Sequence, residues 1–135
     1  VALKNEIENI KLYLSIEKIR FGTRLNFNFK GTKKYIDNKI PAMILQPLIE
    51  NAIKHGVYES TTPININLTC QLLNNNLEII ISNEFNPKGK VKKGEGVGLK
   101  NIQQRLFLTY KQTNLFNIDK TTNIFTVRIK FPQNG

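Results

Sequence analysis

The residues best suited to chemistry stand close together: Glu50, Asn51, Lys54 and His55. At about 100° per residue on a helical wheel they share one arc, while Leu45, Leu48, Ile49, Ala52 and Ile53 fill the other. A carboxylate, an amide and an ammonium on one face within a turn can together hold a magnesium ion and a phosphate chain. Magnesium takes hard oxygen ligands and keeps several waters, so one amide oxygen plus phosphate oxygens suffices. Lys54 would add a point charge to the phosphates. Taken one at a time, the same residues also fit a solvent-facing arc. A second group lies further along, Gly94, Gly96 and Gly98, followed by Leu99. Glycines admit positive φ and let backbone amides approach an anion closely, and a helix starting near Leu99 would present unpaired amides to a phosphate group. Lys88, Lys90, Lys92 and Lys93 precede them, as a charge run that either draws in a polyanion or is merely solvated.

Elements that could position these groups are legible in the hydropathy pattern. Leu3, Ile7, Ile10 and Leu14, continuing toward Ile16 and Glu17, recur at helical spacing from residue 3 to about 20. Leu25, Phe27 and Phe29 then alternate with Asn26, Asn28 and Lys30, as in a half-buried strand. Pro41 opens a helix expected from 42 to about 55, with Pro47 as an internal irregularity and Gly56 as its stop. Ile64, Ile66, Leu68, Cys70 and Leu72 alternate with polar residues, Asn74, Asn75 and Asn76 turn the chain, and Leu77, Ile79 and Ile81 return it as an antiparallel hairpin. Residues 83–98 read as a mobile loop, longer than the ~12–15 residues at which structureless connections become uncommon, and loops of that kind tend to be lids. A helix from 99 to about 110 follows, with Ile102, Leu106 and Tyr110 inward. A last hairpin runs from Phe116 and Ile118 to Phe125, Val127, Ile129 and Phe131. Hairpins with three helices on one face make a two-layer α+β sandwich.

Composition narrows the classes. The 135 residues, 40% hydrophobic and spread along the chain, fit one globular domain, 1–135, with no separate linker. No stretch nears the ~20 apolar residues of a membrane span. The start, Val1-Ala2-Leu3, lacks an initiator Met and any signal layout, as expected of a piece cut from a longer protein. One cysteine, Cys70, and one histidine leave no intrachain disulfide and too few soft ligands for zinc. The net charge of +10 attracts polyanions. The basic residues are scattered, however, and the aromatics do not interleave with them as a base-stacking platform requires, so nucleic acid is not an expected partner.

The segment Pro41-Ala42-Met43-Ile44-Leu45-Gln46-Pro47-Leu48-Ile49-Glu50-Asn51-Ala52-Ile53-Lys54-His55-Gly56 resembles the asparagine box of LytS/YehU-type sensor histidine kinases, within the GHKL ATPase superfamily. Gly94-Glu95-Gly96-Val97-Gly98-Leu99-Lys100-Asn101-Ile102-Gln103-Gln104-Arg105-Leu106 resembles the second glycine box of the same family, in the same order. Tyr13-Leu14-Ser15-Ile16-Glu17 with Arg20-Phe21 resembles the segment that precedes this domain, so the likeness covers essentially the whole chain. A lone Gly-x-Gly-x-Gly is weak evidence; the asparagine box is far more specific, and the pair is strong.

The resemblance implies the Bergerat-type GHKL fold: a mixed, mostly antiparallel sheet with helices on one face. It implies ATP and Mg2+ as cofactors, with Asn51 the metal ligand and Lys54 and His55 near the nucleotide. Glu50 would bind a metal-bound water or assist the transfer. His55 fits equally well as a helix C-terminal residue set against the dipole. Gly94, Gly96, Gly98 and Leu99 would hold the phosphates, and 83–98 would be the ATP lid. Residues 1–22 would lead in from an absent dimerisation segment carrying the phosphoacceptor histidine. A homodimer, a response regulator and a cytoplasmic location beneath a membrane-anchored sensor are further implications. Gyrase-type ATPases share the fold but place a catalytic glutamate at a different spacing.

One departure stands out. The family carries Asp-x-Gly-x-Gly after the second hairpin strand, its aspartate accepting from the adenine amino group. Here the segment is Ser82-Asn83-Glu84-Phe85-Asn86-Pro87, with Asn83 at the aspartate position. An asparagine can accept through its carbonyl and donate to a ring nitrogen, without the charge that makes such bonds roughly twice as strong. The alternative reading is a degenerate pseudokinase of the same fold, serving as an interaction platform.

Overall fold

A computed structural model of the chain describes residues 1–57, 62–85 and 97–133. Helix α1 (Leu3–Phe21) leads through a short 3-10 turn into strand β1 (Leu25–Lys30). Helix α2 (Gln46–Ala52) follows and continues as a π turn over Ile53–Val57. Strands β2 (Ile64–Leu73) and β3 (Asn76–Glu84), helix α3 (Val97–Tyr110), and strands β4 (Phe116–Lys120) and β5 (Ile124–Pro132) complete the order.

The strands form one sheet in the order β1-β2-β3-β5-β4. Only the β1–β2 pair is parallel, with Leu25 opposite Ile64 and Phe29 opposite Leu68; the other pairs are antiparallel. Asn74 and Asn75 both take positive φ, as a tight hairpin turn between right-twisted strands requires. The period-two pattern sends Ile64, Ile66, Leu68 and Cys70 of β2, Leu77, Ile79 and Ile81 of β3, and Val127, Ile129 and Phe131 of β5 to a single inner face. The helices pack on that face, and Leu3, Ile10, Leu14, Leu48, Ile49, Ile53, Ile102 and Leu106 join the strand residues in one core. Each such Leu or Ile contributes roughly 1.5–3 kcal/mol by leaving water. The layered α+β architecture read from the sequence is the one observed.

Several boundaries differ from expectation. The second helix starts at Gln46, not at residue 42, so Pro47 lies in its first turn, where a missing N–H costs nothing, instead of interrupting its middle. Met43 has φ 57, which no α-helix accommodates, so residues 42–45 form a turn. Gly56 does not end the helix with positive φ; it lies within the π turn. The last helix begins at Val97, two positions before Leu99. In α1 the buried stripe ends at Leu14, and Ile16 is 65% exposed. Leu72 and Ile118 also face solvent, at a strand end and on the edge strand.

Gly31, just after β1, has φ +81, and a Cβ there would overlap the Cys70 carbonyl oxygen of the neighbouring strand. Only glycine serves at such a position. The start of α1 is tied to the segment before α2: Leu3 N donates to Asn38 O (2.8 Å), Ile40 N donates to Val1 O (2.9 Å), and Ala2 bridges Lys39.

Candidate nucleotide-binding site

Helix α2 has the two faces its sequence dictates. Leu45, Leu48, Ile49, Ala52 and Ile53 are buried, Glu50 and Lys54 are exposed, and Asn51 and His55 are half-buried at the boundary between the faces. Gln46 Nε2 donates to Glu50 Oε1 at 3.3 Å, one turn away on the exposed side. The π turn carries Lys54 and His55 past the regular end of the helix and brings Gly56 against the sheet. A Cβ on Gly56 would meet Glu84 O at 3.0 Å, Ile64 Cγ2 at 3.2 Å and Asn83 Nδ2 at 3.3 Å. The missing side chain therefore lets the end of the polar arc touch the end of β3. Gly56, which the sequence marks as a helix stop, is instead a packing contact.

Asn83 lies at the end of the inner-facing row Leu77, Ile79, Ile81, where the period of two carries an amide into the core at 2% exposure. Its Nδ2 donates to Glu84 O at 3.0 Å, which commits one of the two amide hydrogens inward. Glu84 in turn accepts at Oε1 from Asn65 N (3.0 Å) and Asn65 Nδ2 (3.3 Å), which fixes the strand ends beside it.

Gly98 and Leu99 fall in the first turn of α3, and Leu99 packs partly buried on the core. Gly94 and Gly96, the four lysines and most of the expected lid at 83–98 lie outside the described residues. The structure thus brings Asn51, Lys54 and His55 onto one helix end that abuts Asn83 through Gly56.

Two further residues hold this arrangement. Glu6 of α1, 3% exposed, accepts at Oε1 from Ile44 N (2.9 Å) and Leu45 N (3.1 Å) just before α2. Arg105 of α3 donates from Nη2 to Ala42 O (2.7 Å) and from Nη1 to Met43 O (3.1 Å). A signal for Glu6 existed: with Leu3, Ile7 and Ile10 it occupies the apolar-periodic face of α1, where a carboxylate needs a reason.

The fold is that of histidine-kinase catalytic domains. The nucleotide-free catalytic domain of histidine kinase ThkA superposes with a TM-score of 0.66, covering 99% of this chain and 97% of that one at 14% identity. In sequence, the sensor histidine kinase BtsS of Escherichia coli K12 is 32% identical over 78% of this chain and 19% of its own length. The sensor protein LytS of Oceanobacillus iheyensis is 30% identical over 98% of this chain and 25% of its own length. In sequence the chain is thus similar to LytS-type sensor histidine kinases over most of its length, and it spans about a fifth and a quarter of these two relatives. No family model matches it.

Proposed function

We propose that this domain binds magnesium ATP and transfers the γ-phosphate to a histidine on a separate, upstream segment of the same kinase. The observation that carries the reading is the close approach of Gly56, the residue after the polar arc of α2, to the buried amide of Asn83. Adenine would lie at Asn83, which accepts from the amino group through its carbonyl oxygen. The phosphates would run along Lys54 and His55 toward the first turn of α3 at Gly98 and Leu99, with Gly94 and Gly96 closing over them.

The residues present suit magnesium. Asn51 offers a hard amide oxygen at the edge of the polar arc, and Glu50 beside it offers a carboxylate to a metal-bound water. Bound magnesium would neutralise charge on the β- and γ-phosphates. The chain's own contribution is positioning and electrostatics, which is what phosphoryl transfer needs most from a protein. Lys54 orients the phosphates as a point charge, and burial at Asn83 excludes water from the base. His55 belongs to this nucleotide face and is not the phosphoacceptor. In the intact protein the partners would be the phosphoacceptor and dimerisation segment, a second copy and a response regulator, with the domain on the cytoplasmic side of a membrane-anchored sensor.

Calorimetric titration with a non-hydrolysable ATP analogue, with and without magnesium, tests the proposal. Magnesium-dependent binding that disappears in Asn51→Ala is the expected result. Absence of binding by the unsubstituted chain would overturn it in favour of an interaction platform of the same fold. Unchanged affinity in Asn51→Ala would remove that residue from the metal site.

A further inference from the structure

Helix α2 starts without a cap of its own. A helix ordinarily opens on Ser, Thr, Asp or Asn, whose side chain satisfies the first free N–H groups. Here the N-cap residue is Leu45, with no side-chain hydrogen bond, and Pro47 follows in the first turn. Within that first turn Pro47 has no N–H and Leu48 N donates to Leu45 O (2.9 Å), whereas the N–H groups of Ile44 and Leu45, in the turn just before the helix, are buried, both residues being 0% exposed. Their acceptor is one carboxylate oxygen from another helix, Glu6 Oε1, 38 and 39 positions away in sequence. On the other side of the same turn, Arg105 of α3 takes the carbonyls of Ala42 and Met43, and Met43 sits at φ 57.

We propose that Glu6 is a positioning residue for the nucleotide site: by holding the turn at Ile44 and Leu45 from α1, it sets where α2 begins and thereby where Asn51 stands. This inference rests on the nucleotide-binding reading above and deepens it. Three observations support it. First, Glu6 is the buried carboxylate on the face of α1 otherwise made of Leu3, Ile7, Ile10 and Leu14, so its partners at Ile44 and Leu45 account for its presence there. Second, α2 is only 7 residues long, so Asn51 lies about 9 Å from the cap along a rigid rise of ~1.5 Å per residue. A displacement at the cap has no length over which to relax before it reaches Asn51. Third, the left-handed Met43 is a conformation that surrounding contacts must impose, and the contacts on that turn are those of Glu6 and Arg105. Any movement of α1 relative to this turn changes the distance from Oε1 to both N–H groups together. The position of α1 is thereby an input to the site.

Because both bonds end on a single oxygen, Glu6→Gln keeps the acceptor, Glu6→Asp withdraws it by one methylene, and Glu6→Ala removes it. The experiment compares these three with the unsubstituted chain in two ways: affinity for the magnesium-loaded ATP analogue, and the side-chain amide resonances of Asn51 in nitrogen-correlated spectra without nucleotide. The expected result is near-normal affinity and an unmoved Asn51 resonance in Glu6→Gln, and affinity weaker by about tenfold or more with a displaced resonance in Glu6→Asp and Glu6→Ala. If Glu6→Ala does not fold, Glu6→Asp carries the comparison. An Asn51 resonance that stays in place while only the unfolding midpoint falls would reduce Glu6 to a structural residue and overturn the inference. Glu6→Gln behaving like Glu6→Ala would overturn its role as an acceptor. Should the unsubstituted chain fail to bind the analogue, the nucleotide reading falls, and the resonances still decide whether Glu6 positions Asn51.

Discussion

Asn83 and Asn51 are two amides assigned to opposite ends of the same ligand, and the protein holds them in opposite ways. Asn83 continues the apolar row of β3, is 2% exposed, and has spent one N–H on the Glu84 carbonyl. Asn51 stands at the margin of the polar arc of α2, between exposed Glu50 and buried Ala52. At the proposed base end the recognition group, Asn83, is also a piece of the core, so chemistry and stability cannot be altered separately. At the metal end the groups project from a helix whose other face does the packing, and there the two are separable. Substitution and pH should therefore divide cleanly between the two ends.

The largest effect is expected on the inner face under alkaline conditions. Burial pushes the Cys70 thiol up from 9.0 to about 12. The thiol stays neutral in the fold and ionises earlier in the unfolded chain, so its contribution is complete below pH 9.0 and is lost as pH rises toward about 12. Each pH unit in that window removes up to about 1.4 kcal/mol. Urea unfolding from pH 8 to 11 should show this loss in the native chain, and Cys70→Ala should flatten it; equal pH profiles would break the account.

Next in size is Gly56→Val, which drives a branched side chain into Glu84 O, Ile64 and Asn83. Overpacking of this kind costs about 1–3 kcal/mol. The urea midpoint should fall at constant slope, with nucleotide affinity falling alongside it. A stable variant that binds normally would mean that the base end is not closed by packing.

Asn83→Asp restores the charge at the base end and deprives the Glu84 carbonyl of its donor. A loss of about 1–2 kcal/mol in the free domain is expected, together with tighter binding of the ATP analogue. Opposite signs in the two measurements would sharpen the comparison; a variant that is both less stable and weaker in binding would show that the inward hydrogen bond matters more than the charge. The smallest effect on stability belongs to Asn51→Ala, within about 0.5 kcal/mol of the native chain, even though this substitution should abolish binding. A large fall in its unfolding midpoint would dissolve the contrast altogether.

How much of this was legible depended on how far apart the interacting residues lie in sequence. The two arcs of α2 follow from periodicity within one segment, so Leu45, Leu48, Ile49, Ala52 and Ile53 went inward as read. The start of α2 was misplaced because Pro41 and Pro47 both look like helix-opening prolines, and apolar residues 42–45 continue the period; the left-handed Met43 has no sequence signal. The burial of Asn83 was implicit in the alternation of Leu77, Ile79 and Ile81. The place of Glu6 on the apolar face of α1 marks it out, but nothing local says that its partners and those of Arg105 lie 38 to 63 residues away.

The parallel pairing of β1 with β2 bears on how the domain is made. The β2–β3 hairpin closes across two turn residues, whereas Leu25 finds Ile64 only after the whole intervening stretch, α2 included, has been looped. Closing a long loop costs entropy before any contact repays it, and such pairings form slowly. The helix that bears the proposed metal ligand thus sits inside one of the two long excursions of the sheet, the other being the one that brings β5 back onto β3. Refolding followed at the sheet and at the ligand is expected to show two different times, with the hairpins assembled before the domain can recognise a nucleotide.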